Sequence, residues 1–360
     1  MITIKGPVDH VVVVGAGLSG MSAALHLLGA GRRVTVVERD TLPGGRAGLR
    51  AEGGYRIDTG PTVLTMPDLV EDAFAAVGDT MADRLELIQL DPAYRARFAD
   101  GSQLDVHTDG AAMEAAVEEF AGARQAVGYR RLRKWLERLY QVQMRRFIDA
   151  NFDSPLQLLH PDLARLAALG GFGRLDARIG RFVSDERLRR VFSFQALYAG
   201  VPPARALAAY AVIAYMDTVA GVYFPRGGMH ALPTAMADAA AEAGGEFRYG
   251  QTVTRLERSG DRITAVVTDR ERIPCDAVVL TPDLPVSYRL LGRTGELMSD
   301  PSLLITRPTA TDPSLAPPGK HLHYILAPCP NTTIGPGVRE WKELGPRYRD
   351  ELLGWLERRC

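Results

Sequence analysis

The run HVVVVGAGLSGMSAALHLLGAGRRVTVVE, residues 10–38, constrains the fold more than any other feature of the chain. Val11 to Val14 are apolar and β-branched throughout, as a strand buried on both faces of a parallel sheet requires. Gly15, Gly17 and Gly20 follow in the spacing G-x-G-x-x-G, with Ala16 and Ser19 between them. The first glycine permits a sharp turn, the second lets a pyrophosphate approach the backbone, and the third lets helix pack on strand. Ser22 to Leu28 reads as a helix whose N-terminus aims free amides and a positive dipole end at phosphate. Gly29 and Gly31 end that helix, Val34 to Val37 form a second buried strand, and Glu38 closes it. A carboxylate there accepts the hydroxyls of an adenosine ribose and disfavours a 2′-phosphate, which argues against NADP. The fold class is α/β, with a Rossmann-type dinucleotide-binding domain.

The segment after the acid narrows the cofactor. Nicotinamide-dependent dehydrogenases usually show nothing fixed there, yet here Arg39 is followed by Pro43-Gly44-Gly45-Arg46 within eight residues of Glu38. Two glycines permit a second close backbone approach, and Arg46 offers a planar fork to a phosphate or a carbonyl. A cofactor running past its pyrophosphate toward a buried ring needs such a second clamp. That points to FAD.

With those residues in place, "VVVVGAGLSGMSAALHLLGAGRRVTVVERDTLPGGRAG" and "YRIDTGPTVLTMP" resemble the bacterial carotenoid (phytoene) desaturases, within the wider flavin amine oxidase group. The resemblance continues in "FQALYAGVPPARALAAYAVIAYMDTVAGVYFPRGGMHALPTAMADAA", "DAVVLTPDLP" and "RPTATDPSLAPPGKHLHYILAPCPN". It implies FAD as cofactor, with Gly15, Gly17 and Gly20 at the pyrophosphate, Glu38 at the ribose, and Gly44, Gly45 and Arg46 along the cofactor toward the flavin. Thr59, Gly60 and Pro61 would form a turn near the isoalloxazine, and Val253 would pair through its backbone with adenine. Gly227 and Gly228 would begin a helix packed on the FAD domain. The implied reaction is desaturation of phytoene toward lycopene, with quinone or oxygen as electron acceptor. A desaturase for a C30 precursor, a carotenoid isomerase and a non-catalytic remnant are the alternatives. The last arises because Arg293 and Thr294 run together where the family carries a further stretch, and because no glycine-rich flavin-closing motif precedes "ELLGWLERRC".

The cofactor pieces give a discontinuous FAD-binding domain over 1–90 and 222–285, with a mostly helical substrate or membrane-contact domain over 91–221. Residues 286–360 are the remainder of the substrate domain. The apolar run 192–222 reads either as plain core of the helical lobe or as a channel wall or shallow membrane contact, with Leu197, Tyr198, Tyr210, Tyr215, Met216 and Tyr223 as candidate lining. The basic stretch Arg130, Arg131, Arg133, Lys134, Arg138, Arg145 and Arg146 suits either a solvated helix face or anionic headgroups. Asp149, Asp153, Asp217 and His230 are acid–base candidates that spacing does not separate, so the catalytic base stays unassigned. Lys plus Arg and Asp plus Glu both number 43, which gives no argument for nucleic acid. Three scattered cysteines show neither a disulfide framework nor a metal spacing. The expected place is the cytoplasm, peripherally on the inner face of the cell membrane.

Overall fold

Four parallel strands form the central sheet, in the order Ala277–Leu280, His10–Val14, Arg33–Val37, Glu246–Arg248. Val12 pairs with Val278 on one side and with Thr35 on the other, and Val36 pairs with Phe247. The computed structural model describes residues 8–150, 155–259, 262–281, 304–306, 308–322, 324–326, 345–346 and 349–350.

Alternation along the first two strands explains why both are apolar throughout. Val13, Val34 and Val36 face the helices Leu18–Gly29 and Ala231–Glu242, where Met21, Leu25, Leu232 and Met236 complete one core. Val12 and Val37 face the opposite way, onto Val266, Ile273 and Cys275. That second cover is an antiparallel meander of Val253–Ser259, Arg262–Thr268 and Arg272–Pro274. Thus the parallel sheet lies between helices and a small sheet, and neither face meets water.

A second core lies in the helical lobe, built on the hairpin Tyr94–Arg97/Gln103–Val106 and the helices Gly110–Ala121 and Ala123–Gln143. Asp109 caps the first of these by accepting from the Ala112 amide at 2.8 Å. In the second, Ala126, Tyr129, Leu132, Leu136 and Leu139 are buried at steps of three and four. Arg131, Lys134 and Arg138 take the exposed face, while Arg130 pairs with Glu114 and Arg133 with Glu137. Among the described residues no helix is long and apolar enough to cross a membrane. The strand Tyr223–Pro225 returns the chain to the cofactor lobe, pairing with Leu87–Gln89 and bridging to Leu64.

Candidate cofactor site

Local sterics at the first turn assign each glycine a different task. Gly15 has φ +103°, and the Thr281 hydroxyl stands 2.6 Å from where its Cβ would be. Its amide donates to the Val37 carbonyl at 2.8 Å, locking the turn to the second strand. At Gly20 a Cβ would fall 1.9 Å from the Gly15 carbonyl oxygen, so helix and strand can touch only without a side chain. Gly17 differs: the nearest atoms to a Cβ there are 3.9 Å away. Gly17 is also the N-cap of the helix Leu18–Gly29, and no side chain caps it. Open space above an uncapped helix start is what a pyrophosphate requires.

Glu38 is buried at the end of the second strand, 6% exposed. One carboxylate oxygen accepts the Ala16 amide at 2.6 Å and the other accepts the Asp40 amide at 3.0 Å. Its backbone carbonyl accepts from the Gln251 amide at 2.9 Å, which brings the start of the Val253 strand alongside. Val253 itself packs on the core beneath the sheet.

The second glycine pair lies directly against the first turn. The Gly44 amide donates to the Ala16 carbonyl at 2.8 Å, and Gly44 bridges Gly17. Gly45, at φ +55°, would carry a Cβ 3.2 Å from the Gly17 Cα. These glycines are therefore demanded by loop-on-loop packing as well as by room for a ligand. Gly60 continues the pattern, since a Cβ there would lie 2.0 Å from the Arg46 carbonyl oxygen. The Thr59 amide donates to the Gly48 carbonyl at 3.0 Å. The first turn with Gly15, Ala16 and Gly17, the helix start with Ser19 and Gly20, the end of the second strand at Glu38, the turn Gly44, Gly45 and Arg46, and the segment Thr59, Gly60 and Pro61 thus meet at the carboxyl end of the sheet. Arg39 is exposed beside Asp40, 3.9 Å away.

Sequence reasoning missed the clamp that holds this cluster. Asp58 accepts from the amides of Met229 at 2.8 Å and His230 at 3.0 Å. Burial pushes its carboxyl above the usual range, against the pull of those two amides and the His230 and Arg56 charges. From the other side Asp312 accepts from the Gly227 amide at 2.6 Å. His230, weighed above as an acid–base group, has its Nε2 2.8 Å from the Pro43 carbonyl oxygen. A carbonyl only accepts, so that nitrogen carries the proton and donates. The imidazole props the Pro43–Gly44 turn. Replacing His230 with alanine should therefore loosen that turn, lowering the stability of FAD-free protein by about 1–3 kcal/mol in urea titration. FAD affinity should fall alongside.

The other acid–base candidates separate by place. Asp149 is exposed after the π-turn Met144–Ile148, and Asp153 lies outside the described residues. Asp217 is buried in the helical lobe, 6% exposed. Of the channel candidates, Tyr215 stacks on Tyr140 at 4.3 Å and Tyr223 packs on the cofactor lobe core. Among the described residues no cluster of His, Cys, Asp or Glu suits a metal ion.

The family profile described as flavin containing amine oxidoreductase matches residues 18–344. The chain belongs to that family. A phytoene dehydrogenase of Streptomyces griseus is 79% identical over an alignment covering 100% of this chain and 80% of the relative. That alignment runs to 407 positions, several tens more than the 360 residues here, so the relative carries internal sequence that this chain lacks. The expected junction, Arg293–Thr294, lies outside the described residues. The zeta-carotene-forming phytoene desaturase of Myxococcus xanthus is 31% identical, covering 96% of this chain and 76% of its own. Among solved structures, an oxidoreductase from Methanosarcina mazei superposes with TM-score 0.56 at 17% identity, covering 95% of this chain and 83% of that one. That likeness speaks for the fold alone. The flavin amine oxidoreductase is accordingly an FAD-dependent enzyme of the carotenoid desaturase branch, and its α/β Rossmann-type fold agrees.

Proposed function

We propose that this enzyme desaturates phytoene toward lycopene, and the observation that carries the reading is the 79% identity to a phytoene dehydrogenase across the whole chain. The bound FAD would supply a two-electron acceptor for hydride leaving an allylic C–H bond. The chain's own residues bind and orient it. Gly17, Ser19 and the uncapped helix start hold the pyrophosphate, Glu38 holds the ribose, and Val253 lies toward adenine. Gly45, Arg46 and Thr59–Pro61 run toward the ring, and Gly44 sets the turn. Quinone or oxygen reoxidises the cofactor.

A water-insoluble polyene also implies a lipid surface, and the helical lobe has a suitable knuckle. Ala208 and Ala209 donate to the carbonyls of Gly173 and Gly171 at 2.7 and 2.8 Å, which sets Phe172 beside Leu207 and Tyr210. Those three are 50%, 40% and 37% exposed, unusual for large apolar side chains grouped together. Arg174 and the exposed Arg205 flank them, the first donating to the second's carbonyl at 2.7 Å. Apolar tips inside a basic rim match an anionic membrane, here the inner face of the cell membrane.

One experiment addresses both parts. Purified protein with FAD is mixed with phytoene in phosphatidylglycerol vesicles, and products are separated by chromatography. Conjugated desaturation products are expected, and their absence from a flavin-loaded, vesicle-bound enzyme rejects the substrate assignment in favour of the C30 or isomerase reading. Phe172→Asp should reduce sedimentation with those vesicles at least about tenfold, because burial of one aromatic side chain is lost. FAD binding should not change.

A further inference from the structure

Arg178 is a fixed cation without an anion. Its guanidinium carbon lies 5.4 Å from the Trp135 ring centroid and 5.8 Å from that of Phe182, so two aromatic rings hold it in place. A ring face attracts the charge but leaves the N–H groups of the guanidinium edge without acceptors. Nε is buried and has no hydrogen-bond partner, and among the described residues Arg178 has no ion pair. Other arginines of the lobe are compensated: Arg165 and Arg187 each meet an aspartate at 2.8 Å, and Arg130 pairs with Glu114. Arg181 stands on the same turn, its amide donating to the Arg178 carbonyl at 3.2 Å. It is exposed, again with no ion pair among the described residues. The one acid between Gly170 and Phe182 is Asp176, whose carboxylate accepts the Ala177 amide at 2.6 Å. Burial and the neighbouring Arg181 charge both pull the Arg178 guanidinium below its usual value, as befits a cation lacking a counter-charge.

The surroundings say where the missing anion lies. Gly170, at φ +77°, leaves the guanidinium against bare backbone: a Cβ there would stand 3.0 Å from its carbon and 3.1 Å from Nη1. Phe172 is two residues further on, so its Cα lies within about 7 Å of that of Gly170. An apolar tip sunk into the acyl boundary would therefore set Arg178 at the depth of the headgroup phosphates. We propose that Arg178 and Arg181 hold the phosphate of an anionic phospholipid headgroup while Phe172 enters the acyl layer beneath it. The inference rests on the membrane reading of the Phe172 knuckle and adds a headgroup site to it. The planar fork of Arg178 takes two phosphate oxygens, and Arg181 supplies a second charge.

The test compares sedimentation of FAD-loaded protein with vesicles of phosphatidylcholine alone and of phosphatidylcholine mixed with phosphatidylglycerol. Wild type should prefer the mixed vesicles. Arg178→Met keeps an apolar stem between the rings and should lose about fivefold of that preference, as should the exposed Arg181→Gln. Arg178→Lys keeps the charge without the fork and should still lose at least about threefold. Lys134→Gln, an equal charge removed from the exposed face of the helix Ala123–Gln143, should cost less than about twofold. FAD quenching and melting temperature should match wild type throughout. Arg178→Met and Arg181→Gln keeping the wild-type preference, Arg178→Lys matching wild type, or Lys134→Gln costing as much as Arg178→Met each overturns the site. Inorganic phosphate is titrated against vesicle-free protein by calorimetry, and no saturable binding is expected; tight binding lost in Arg178→Met would assign the site to a free phosphate and overturn the lipid. The two readings fail differently. Wild type that sediments with neither vesicle removes the membrane reading and this site together, whereas sedimentation abolished by Phe172→Asp but indifferent to Arg178 removes the site alone.

Discussion

Gly20→Ala should cost FAD-free protein about 3 kcal/mol or more in urea titration, whereas Gly17→Ala should leave it within about 0.5 kcal/mol of wild type. The two glycines are three residues apart in one motif, so propensity alone does not separate them. At Gly20 the new methyl would lie 1.9 Å from the Gly15 carbonyl oxygen and 3.0 Å from its carbon. Neither atom can retreat, because Gly15 is fixed to Val37 and walled by Thr281. Helix must separate from strand, and the core of Val13, Met21 and Leu25 opens with it. Gly17 has φ −72° and ψ 173°, which alanine adopts without strain, and nothing lies closer than 3.9 Å. Only a ligand would meet that methyl. Hence Gly17→Ala should retain the melting temperature of the FAD-free protein yet bind FAD about 10–100 times more weakly by fluorescence quenching. Equal FAD affinity in Gly17→Ala and wild type would show that the pyrophosphate does not pass over this turn.

The legible and illegible parts of the chain divide by range. Gly20 could be read because strand, turn and helix are consecutive, so three residues of spacing dictate the contact. The packing of Gly44 and Gly45 on Gly17 could not, although the glycines themselves stood out: a pair of glycines announces a close approach but not what approaches. Part of the answer is the neighbouring loop. His230 shows the same limit in a side chain, since only the fold discloses that its Nε2 meets the Pro43 carbonyl, and a proposed proton carrier becomes a prop. Asp58 left a faint trace, an acid between an amphipathic strand and a glycine in "YRIDTG". Asp312 left none, because its partner Gly227 lies 85 positions away.

Asp217→Asn should raise the stability of FAD-free protein by about 4 kcal/mol at pH 8 and leave it nearly unchanged below pH 4. An acid held up to about 7 in the folded chain, against 3.8 as the ordinary value, binds more protons folded than unfolded. Its contribution is therefore most favourable below 3.8 and declines as pH rises through that window to about 7, where the full penalty is reached. Asparagine fills nearly the same volume and carries no charge to desolvate. The difference between variant and wild type should thus open with pH in urea titrations at fixed ionic strength, following one proton. Parallel stability curves for the two proteins would mean that the carboxyl is hydrated or paired when folded.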